Sequence, residues 1–220
     1  MALDNNKQKK MQQLDERDAI EEEMNWLFRS VVNSIRLFGH VIAVSNYAKE
    51  NALRKYGDYF GFSQQVMQKQ LLLELAKLYV KNRDSHTLPR LVERSLKFLT
   101  KKNFKNYKLI PNENRSLDEL KQQLLDLHKE LEKLGTPINN LKKVRDNILA
   151  HNDKSISNAL ESIAFQHQNP ITAKEVKRLV EFGEEIINTL SIVLFNKELK
   201  LIRKDYNQEI KRLVEDINGD

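Results

Sequence analysis

The chain has 220 residues, a formal net charge of +6 at pH 7 and no cysteine. This length suits one large helical domain, and a chain without cysteine forms neither disulfide bonds nor thiolate metal sites. Six glycines and four prolines are too few for the many turns of a β-rich chain. The positive charge is compatible with a polyanionic partner, although it is modest for a chain of this size.

Several classes of protein are disfavoured by simple sequence features. The first residues are charged, which argues against a secretion signal. The longest apolar run, residues 190–195, is far shorter than a membrane span. The histidines lack the H-E-x-x-H kind of spacing with carboxylates. We therefore expect a cytoplasmic protein with no membrane contact, no metal and no cofactor.

The N-terminal part of the chain is predicted to be dominated by two helices. Residues 1–14 are polar and form a predicted disordered segment. From about residue 15 to residue 55 a long helix is predicted, because apolar residues recur at steps of three and four: Ile20, Met24, Leu27, Val31, Ile35, Phe38 and Ile42. Gly57 and Gly61 interrupt the pattern, and Ser63 is predicted to cap a second helix that ends near residue 80. Its single acid, Glu74, must face solvent or pair with a base.

Capping signals place the later helices. Side-chain N-caps and capping boxes are predicted at Thr87, at Ser116 with Glu119, at Thr136 followed by Pro137, and at Thr172 with Glu175. Residues 196–220 are charged and form a predicted helical extension that projects. The elements together predict an all-α, up-and-down helical bundle with long N- and C-terminal helices, whose main domain covers residues 15–195.

Residues 100–115 are basic, with aromatic residues interleaved. Such a segment can bind single-stranded RNA by charge and stacking, and its candidate RNA-binding residues are Lys101, Lys102, Lys105 and Tyr107. The alternative is a surface connector whose aromatic side chains pack against the body of the protein.

The helix that follows Thr136 carries the residues best suited to chemistry. Ile138, Leu141, Val144 and Ile148 recur at helical spacing and His151 continues this stripe, with Arg145 at its edge. Arg145 and His151 lie about 120° apart around a regular helix and about 9 Å apart along it. The two side chains therefore meet one substrate only if the helix ends or bends near residue 150, or if a second copy completes the site. The second option favours a symmetric dimer.

The string R-D-N-I-L-A-H-N-D, residues 145–153, resembles the signature helix of the HEPN superfamily, in which arginine, a polar residue and a short spacer precede histidine. Its ending, and the pairing of L-L-L-E-L-A-K-L with a downstream T-L-P-R-L, look most like the abortive-infection branch. This resemblance implies a toxin ribonuclease in defence against phage, with an antitoxin or other regulatory protein as a partner. In HEPN toxins paired with nucleotidyltransferase antitoxins, a modified tyrosine follows the histidine by two residues. Here Asp153 stands in that place, which puts that mode of control in doubt.

Arginine and histidine can together cleave RNA, because RNA carries its own nucleophile in the ribose 2′-hydroxyl. We hypothesise that His151 is the general acid/base and that Arg145 binds the phosphate. Asp146 orients one of them, and Asn147 hydrogen-bonds the phosphate or the ribose. The predicted activity is that of a metal-independent endoribonuclease acting as a homodimer.

Three other interpretations remain open. Arg145 can instead pair with Glu74 or Asp146, while His151 is a satisfied histidine at the negative end of its helix. The chain can be a non-catalytic dimerising module that binds a partner protein or a nucleotide. It can also be a basic protein that binds RNA through residues 101–108 without cleaving it.

Overall fold

The computed structural model describes residues 2–47, 51–82, 85–106, 116–151, 171–199 and 204–219. Side chains are described from Glu16 onward within these ranges, except at residues 51–52, 105–106, 147–151 and 219.

The described residues are almost entirely helical and contain no strand. The helices are α1 (Ala2–Tyr47), α2 (Asn51–Lys55), α3 (Gly57–Tyr79), α4 (Leu88–Phe98), α5 (Lys101–Asn106), α6 (Leu117–Lys133), α7 (Gly135–His151), α8 (Ala173–Phe195) and α9 (Tyr206–Gly219). The predicted all-α helical bundle is confirmed.

The chain forms two compact units, neither of which is a single continuous stretch. The first unit contains Met1–Arg29, Lys81–Gly135 and Gly183–Leu199. The second contains Ser30–Val80, Thr136–Phe182 and Lys200–Asp220. Helix α9 belongs to the second unit, together with α2 and α3.

In the first unit, α4 packs against α6. The leucines of α6 at steps of four, three and four are all buried (Leu120, Leu124, Leu127 and Leu131), as are Leu88, Leu91, Val92 and Phe98 of α4. Each fully buried leucine contributes about 1.5–3 kcal/mol relative to an exposed one. This apolar contact fixes α4, whose remaining face carries the charged residues described below.

In the second unit, α9 folds back instead of projecting as the sequence predicted. Val214 of α9 and Leu53 of α2 are the centre of a small apolar cluster, joined by the half-buried side chains Tyr47, Phe60, Ile210 and Ile217. Ile210, Val214 and Ile217 of this charged segment therefore pack against other parts of the second unit.

Tyr79 and Glu74, both on α3, are buried polar groups with partners. The Tyr79 hydroxyl donates to the Leu179 carbonyl at 2.6 Å, which fastens α3 to α8. Glu74 accepts from Gln70 at 3.0 Å and from Lys77 at 2.8 Å. Of the two outcomes predicted for Glu74, pairing with a base is the correct one.

Several helix starts differ from the prediction. Residues 2–14 are helical, because lysine, glutamine and methionine favour helix. Helix α3 begins at Gly57 rather than at Ser63, since the first turn of a helix tolerates glycine and the chain already turns at Tyr56. Helix α7 begins at Gly135, one residue before the predicted cap at Thr136.

The stretch Glu16–Tyr47 of α1 is long and apolar enough, by length and composition alone, to cross a membrane. Arg29 and Arg36 interrupt the apolar residues of this stretch, so no long uninterrupted apolar run marks it in the sequence. Ile20, Leu27 and Val31 within the stretch are at most 1% exposed.

Candidate functional site

Helix α7 positions the predicted catalytic arginine. Leu141 and Val144 are buried and anchor one face of the helix, while Lys142 and Lys143 are exposed. Arg145 follows directly after the buried face, and 15% of its side chain is exposed. Of the predicted stripe, Leu141 and Val144 are buried and Ile138 is half-buried, and Arg145 lies at the border between core and surface.

Arg145 is held by its neighbour in the chain. Its Nε and Nη2 atoms donate to the same oxygen, Oδ1 of Asp146, at 2.9 and 2.5 Å. A charged pair of this kind fixes the plane of the guanidinium. Arg145 is in contact with Asp146, one of the partners considered for it, and 51% of the Asp146 side chain is exposed.

The other two predicted catalytic side chains, those of Asn147 and His151, lie outside the described residues. The backbone of α7 is helical through His151. Arg145 and His151 are thus on one helix, about 120° apart around a regular axis and about 9 Å apart along it.

Two of the four predicted RNA-binding residues are described. Lys101 and Lys102 are exposed in the first turn of α5, whereas the side chain of Lys105 and the whole of Tyr107 lie outside the described residues. Asn103 on the same helix is buried, and its side-chain amide donates to the Phe98 carbonyl at 2.6 Å. Phe104 is half-buried, in keeping with the connector interpretation for that aromatic residue.

A second cluster of charged residues, which the sequence analysis did not find, surrounds Glu23 on α1. The Glu23 side chain is 7% exposed. Its Oε2 accepts from Nη1 of Arg94 at 3.1 Å, and its Oε1 lies 3.1 Å from Nδ1 of His86. The sequence signal was present, because Glu23 lies between Ile20 and Met24 on the buried stripe of α1, where a carboxylate requires a partner.

The Glu23 cluster lines an open cleft of about 410 Å³, which we call the α4 cleft. Helix α4 contributes Arg90, Glu93, Arg94 and Lys97, and the preceding loop contributes Ser85 and His86. Among the described side chains, no group of three or more histidines and carboxylates is arranged to hold a metal ion.

The match to a known protein family covers almost the whole chain. The family model described as AbiU2, a HEPN family, matches residues 15–215. The chain belongs to the AbiU2 family of HEPN proteins. The resemblance to the abortive-infection branch of the HEPN superfamily is thereby confirmed. The AbiU2 match includes α7 and extends into α9. Neither a curated protein nor a solved structure matches the chain significantly.

Proposed function

We propose that this AbiU2 protein is a metal-independent endoribonuclease that acts as a toxin in abortive infection. The observation that carries the proposal is the Arg145–Asp146 pair on α7, within a chain that matches a HEPN family over residues 15–215. Asp146 holds the guanidinium of Arg145 in one orientation, and the same helix carries His151. An oriented cation and an imidazole are the two groups that the proposed phosphodiester cleavage uses.

The proposed reaction begins with the 2′-hydroxyl of the ribose. An imidazole removes its proton, the 2′-oxygen bonds to phosphorus, and the bond from phosphorus to the 5′-oxygen breaks. A protonated imidazole gives its proton to the leaving 5′-oxygen. The products are a 2′,3′-cyclic phosphate and a 5′-hydroxyl end. Positioned proton transfer of this kind contributes about 10²–10⁴-fold to the rate.

Arg145 stabilises the negative charge that builds up on the phosphorane oxygens. A preorganised charged donor is worth about 3–4 kcal/mol in such a site. Asp146 is the residue that keeps the guanidinium preorganised. Asn147 hydrogen-bonds the phosphate or the ribose, and Lys101, Lys102, Lys105 and Tyr107 bind the RNA outside the reacting bond.

The protein acts as a homodimer in the cytoplasm, and the dimer completes the site. Residues 145 and 151 lie about 120° apart around one regular helix, so a second copy brings His151 of one chain to Arg145 of the other. A regulatory protein restrains the toxin between infections.

The decisive experiment measures cleavage of a single-stranded RNA in the presence of EDTA. We expect cleavage by the wild type and at least a hundredfold loss in His151→Ala and in Arg145→Ala, since each removes a group that acts at the phosphate. Matched controls are His128→Ala on α6 and the exposed Arg212→Ala on α9, which should retain the wild-type rate. Full activity in either motif variant would contradict the proposal.

Growth of cells expressing the protein tests the toxin role separately. Expression of the wild type should arrest growth, and expression of His151→Ala to the same level should not. Equal toxicity of both proteins would refute a toxic nuclease whose activity depends on His151.

A non-catalytic dimerising module is the second candidate, and an exposed face of α3 favours it. Tyr59, Phe62 and Val66 follow each other at steps of three and four and are 49–69% exposed. Such a face suits a second copy or a partner protein. The module is the better conclusion if the protein dimerises but cleaves no RNA and arrests no growth.

A further inference from the structure

We propose that the exposed face of α3 binds the same face of a second copy of this chain, with the two α3 helices antiparallel across a twofold axis near Phe62. We call this surface the α3 face, and its residues are Asp58, Tyr59, Phe62, Gln65, Val66 and Lys69. The inference deepens the proposed homodimer, because it names a surface through which two copies associate. It rests on that part of the proposed function alone and requires no cleavage of RNA.

The centre of the α3 face is apolar and open to solvent. Tyr59 is 69% exposed, Phe62 is 68% exposed and Val66 is 49% exposed. At about 100° per residue, the three side chains lie within about 60° of one another around the helix. Large apolar side chains that are exposed together, rather than singly, are typical of a surface that contacts another protein.

The opposite side of α3 is fastened within its own unit, so the α3 face has a fixed position there. Phe60 packs against the small apolar cluster around Val214. Gln64 donates from Nε2 to the Ser45 hydroxyl of α1 at 2.6 Å. Tyr59 packs edge-on against Phe60, with the ring centroids 5.4 Å apart. An aromatic side chain that is already positioned loses little conformational freedom on binding, which favours association.

The charges on α3 make the α3 face complementary to itself. The helix carries four charged residues, and two of them, Glu74 and Lys77, pair with each other near its end. The other two, Asp58 and Lys69, are exposed at opposite ends of the α3 face. Asp58 and Lys69 are three helical turns apart, so they share one line along the helix and are separated by about 16 Å.

An antiparallel arrangement of two copies satisfies the charges and the apolar centre together. It brings Asp58 of each copy beside Lys69 of the other, and Tyr59 of each copy beside Val66 of the other. Phe62 meets its own counterpart at the twofold axis. A surface patch has to be self-complementary in this way to form a closed symmetric dimer.

Other occupants fit the α3 face less well. An RNA strand is bound through several basic side chains, whereas the α3 face carries one base and one acid. A membrane surface is bound through an apolar face flanked by basic residues, and Asp58 would be repelled by anionic lipid. A second copy uses the acid, the base and the apolar centre at once.

Analytical ultracentrifugation of the full chain, over a range of concentrations, measures the association. Asp58→Lys places two like-charged pairs across the interface and should weaken the apparent dimer affinity about tenfold or more, and Lys69→Asp should do the same. An equal mixture of the two variants should recover the wild-type affinity, because each acid then faces a base in the heterodimer. The double variant Asp58→Lys/Lys69→Asp should also associate as the wild type does.

Asp118→Lys is the matched control for charge reversal, because Asp118 is likewise an exposed acid in the first turn of its helix, α6. This reversal loses the same favourable interaction with a helix N-terminus and should leave association unchanged. Phe62→Ser should weaken the dimer affinity about tenfold or more, since it removes the apolar contact at the axis. Leu125→Ser, at an exposed apolar position of α6, should not weaken it.

A wild type that stays monomeric at all concentrations would overturn the proposal. The same conclusion would follow if Asp58→Lys associates as tightly as Asp118→Lys, or if the mixture of Asp58→Lys with Lys69→Asp associates no better than either variant alone. Dimers that are insensitive to every reversal would leave the proposed nuclease dimer standing with its interface elsewhere. Dimers that respond as expected but cleave no RNA would count against the nuclease alone.

Binding to lipid vesicles separates a second copy from a membrane as the occupant. Arg54 and Lys55 precede the α3 face in the chain and are exposed, so vesicles of phosphatidylserine and phosphatidylcholine are the appropriate probe. We expect no binding of the wild type to them. Vesicle binding by a monomeric wild type that is lost in Phe62→Ser would assign the α3 face to a membrane and overturn the proposal.

Discussion

At the scale of single residues, Asp146 has a proposed indirect role in catalysis, which is to orient the guanidinium of Arg145. It is half-exposed, and both hydrogen bonds that join it to Arg145 end on one of its oxygens. Its contribution to catalysis should therefore be smaller than that of the arginine it orients.

Asp146→Ala should lower the rate of RNA cleavage by about 10- to 100-fold, the effect of losing hydrogen bonds to a charged group. Asp146→Asn should lower it less, because the amide oxygen still accepts from the guanidinium. The measurement is kcat on single-stranded RNA, with Asp126→Ala on the exposed face of α6 as control. A wild-type rate in Asp146→Ala would show that catalysis does not depend on the contact between Asp146 and Arg145.

The sequence predicts the position of a single residue well where the relevant pattern lies within one helix. The place of Arg145 at the edge of the buried stripe follows from its distance to Leu141, and its contact with Asp146 was among the pairings considered. The Glu23 cluster was missed because its partners, His86 and Arg94, are more than sixty residues away in the chain. No periodicity within one helix reveals which distant loop will supply the counter-charge.

At the scale of elements, the close approach of α9 to α1 depends on Gly39. A Cβ atom at Gly39 would lie 2.5 Å from Cδ2 of Tyr206. The Tyr206 ring also contacts His40, with the two centroids 4.0 Å apart. The absence of a side chain at residue 39 therefore makes room for the first residue of α9.

Gly39→Ala should destabilise the protein by about 1–3 kcal/mol, because Tyr206 must move to accommodate the methyl group. In a Tyr206→Ala background the same change should stabilise it by up to about 1 kcal/mol, since alanine is the better helix former. Urea unfolding of the four proteins measures this coupling. Equal effects of Gly39→Ala in both backgrounds would mean that α9 does not pack on residue 39.

Helix ends show what capping signals can and cannot predict. The boxes at Ser116 with Glu119 and at Thr172 with Glu175 form as predicted, with the backbone N–H of each cap donating to the glutamate at 2.6 and 2.7 Å. Thr87 occupies the N-cap position of α4 but makes no capping hydrogen bond. Its hydroxyl is buried without a hydrogen-bond partner among the residues that the structure describes. A threonine side chain can either cap or pack, and tertiary burial decides which.

At the scale of the whole molecule, the proposed chemistry depends on a proposed homodimer. If Arg145 of one copy acts together with His151 of the other, Arg145→Ala protein lacks the arginine at both sites. His151→Ala protein lacks the histidine at both sites. A mixed dimer of the two variants then keeps one intact site.

Mixing Arg145→Ala with His151→Ala protein, under conditions that allow exchange of subunits, should restore RNA cleavage to about a quarter of the wild-type rate. Half of the randomly formed dimers are mixed, and each has one working site of two. A mixture as inactive as its components would place both residues of a site in one chain. A monomer by light scattering would remove the dimer from the proposal.

Among the described residues, the buried carboxylates Glu23 and Glu74 differ in where their counter-charges come from. Glu74 is neutralised within α3 by Lys77, one turn after it, and accepts a hydrogen bond from Gln70, one turn before it. Glu23 is neutralised from another element, by Arg94 of α4, and also contacts His86 in the loop before α4. A movement of α3 against its neighbours would therefore leave the ion pair of Glu74 intact. A movement of α4 away from α1 would leave the buried carboxylate of Glu23 without its counter-charge. The ion pair of Glu23 therefore holds α1 and α4 together, whereas that of Glu74 joins no two helices.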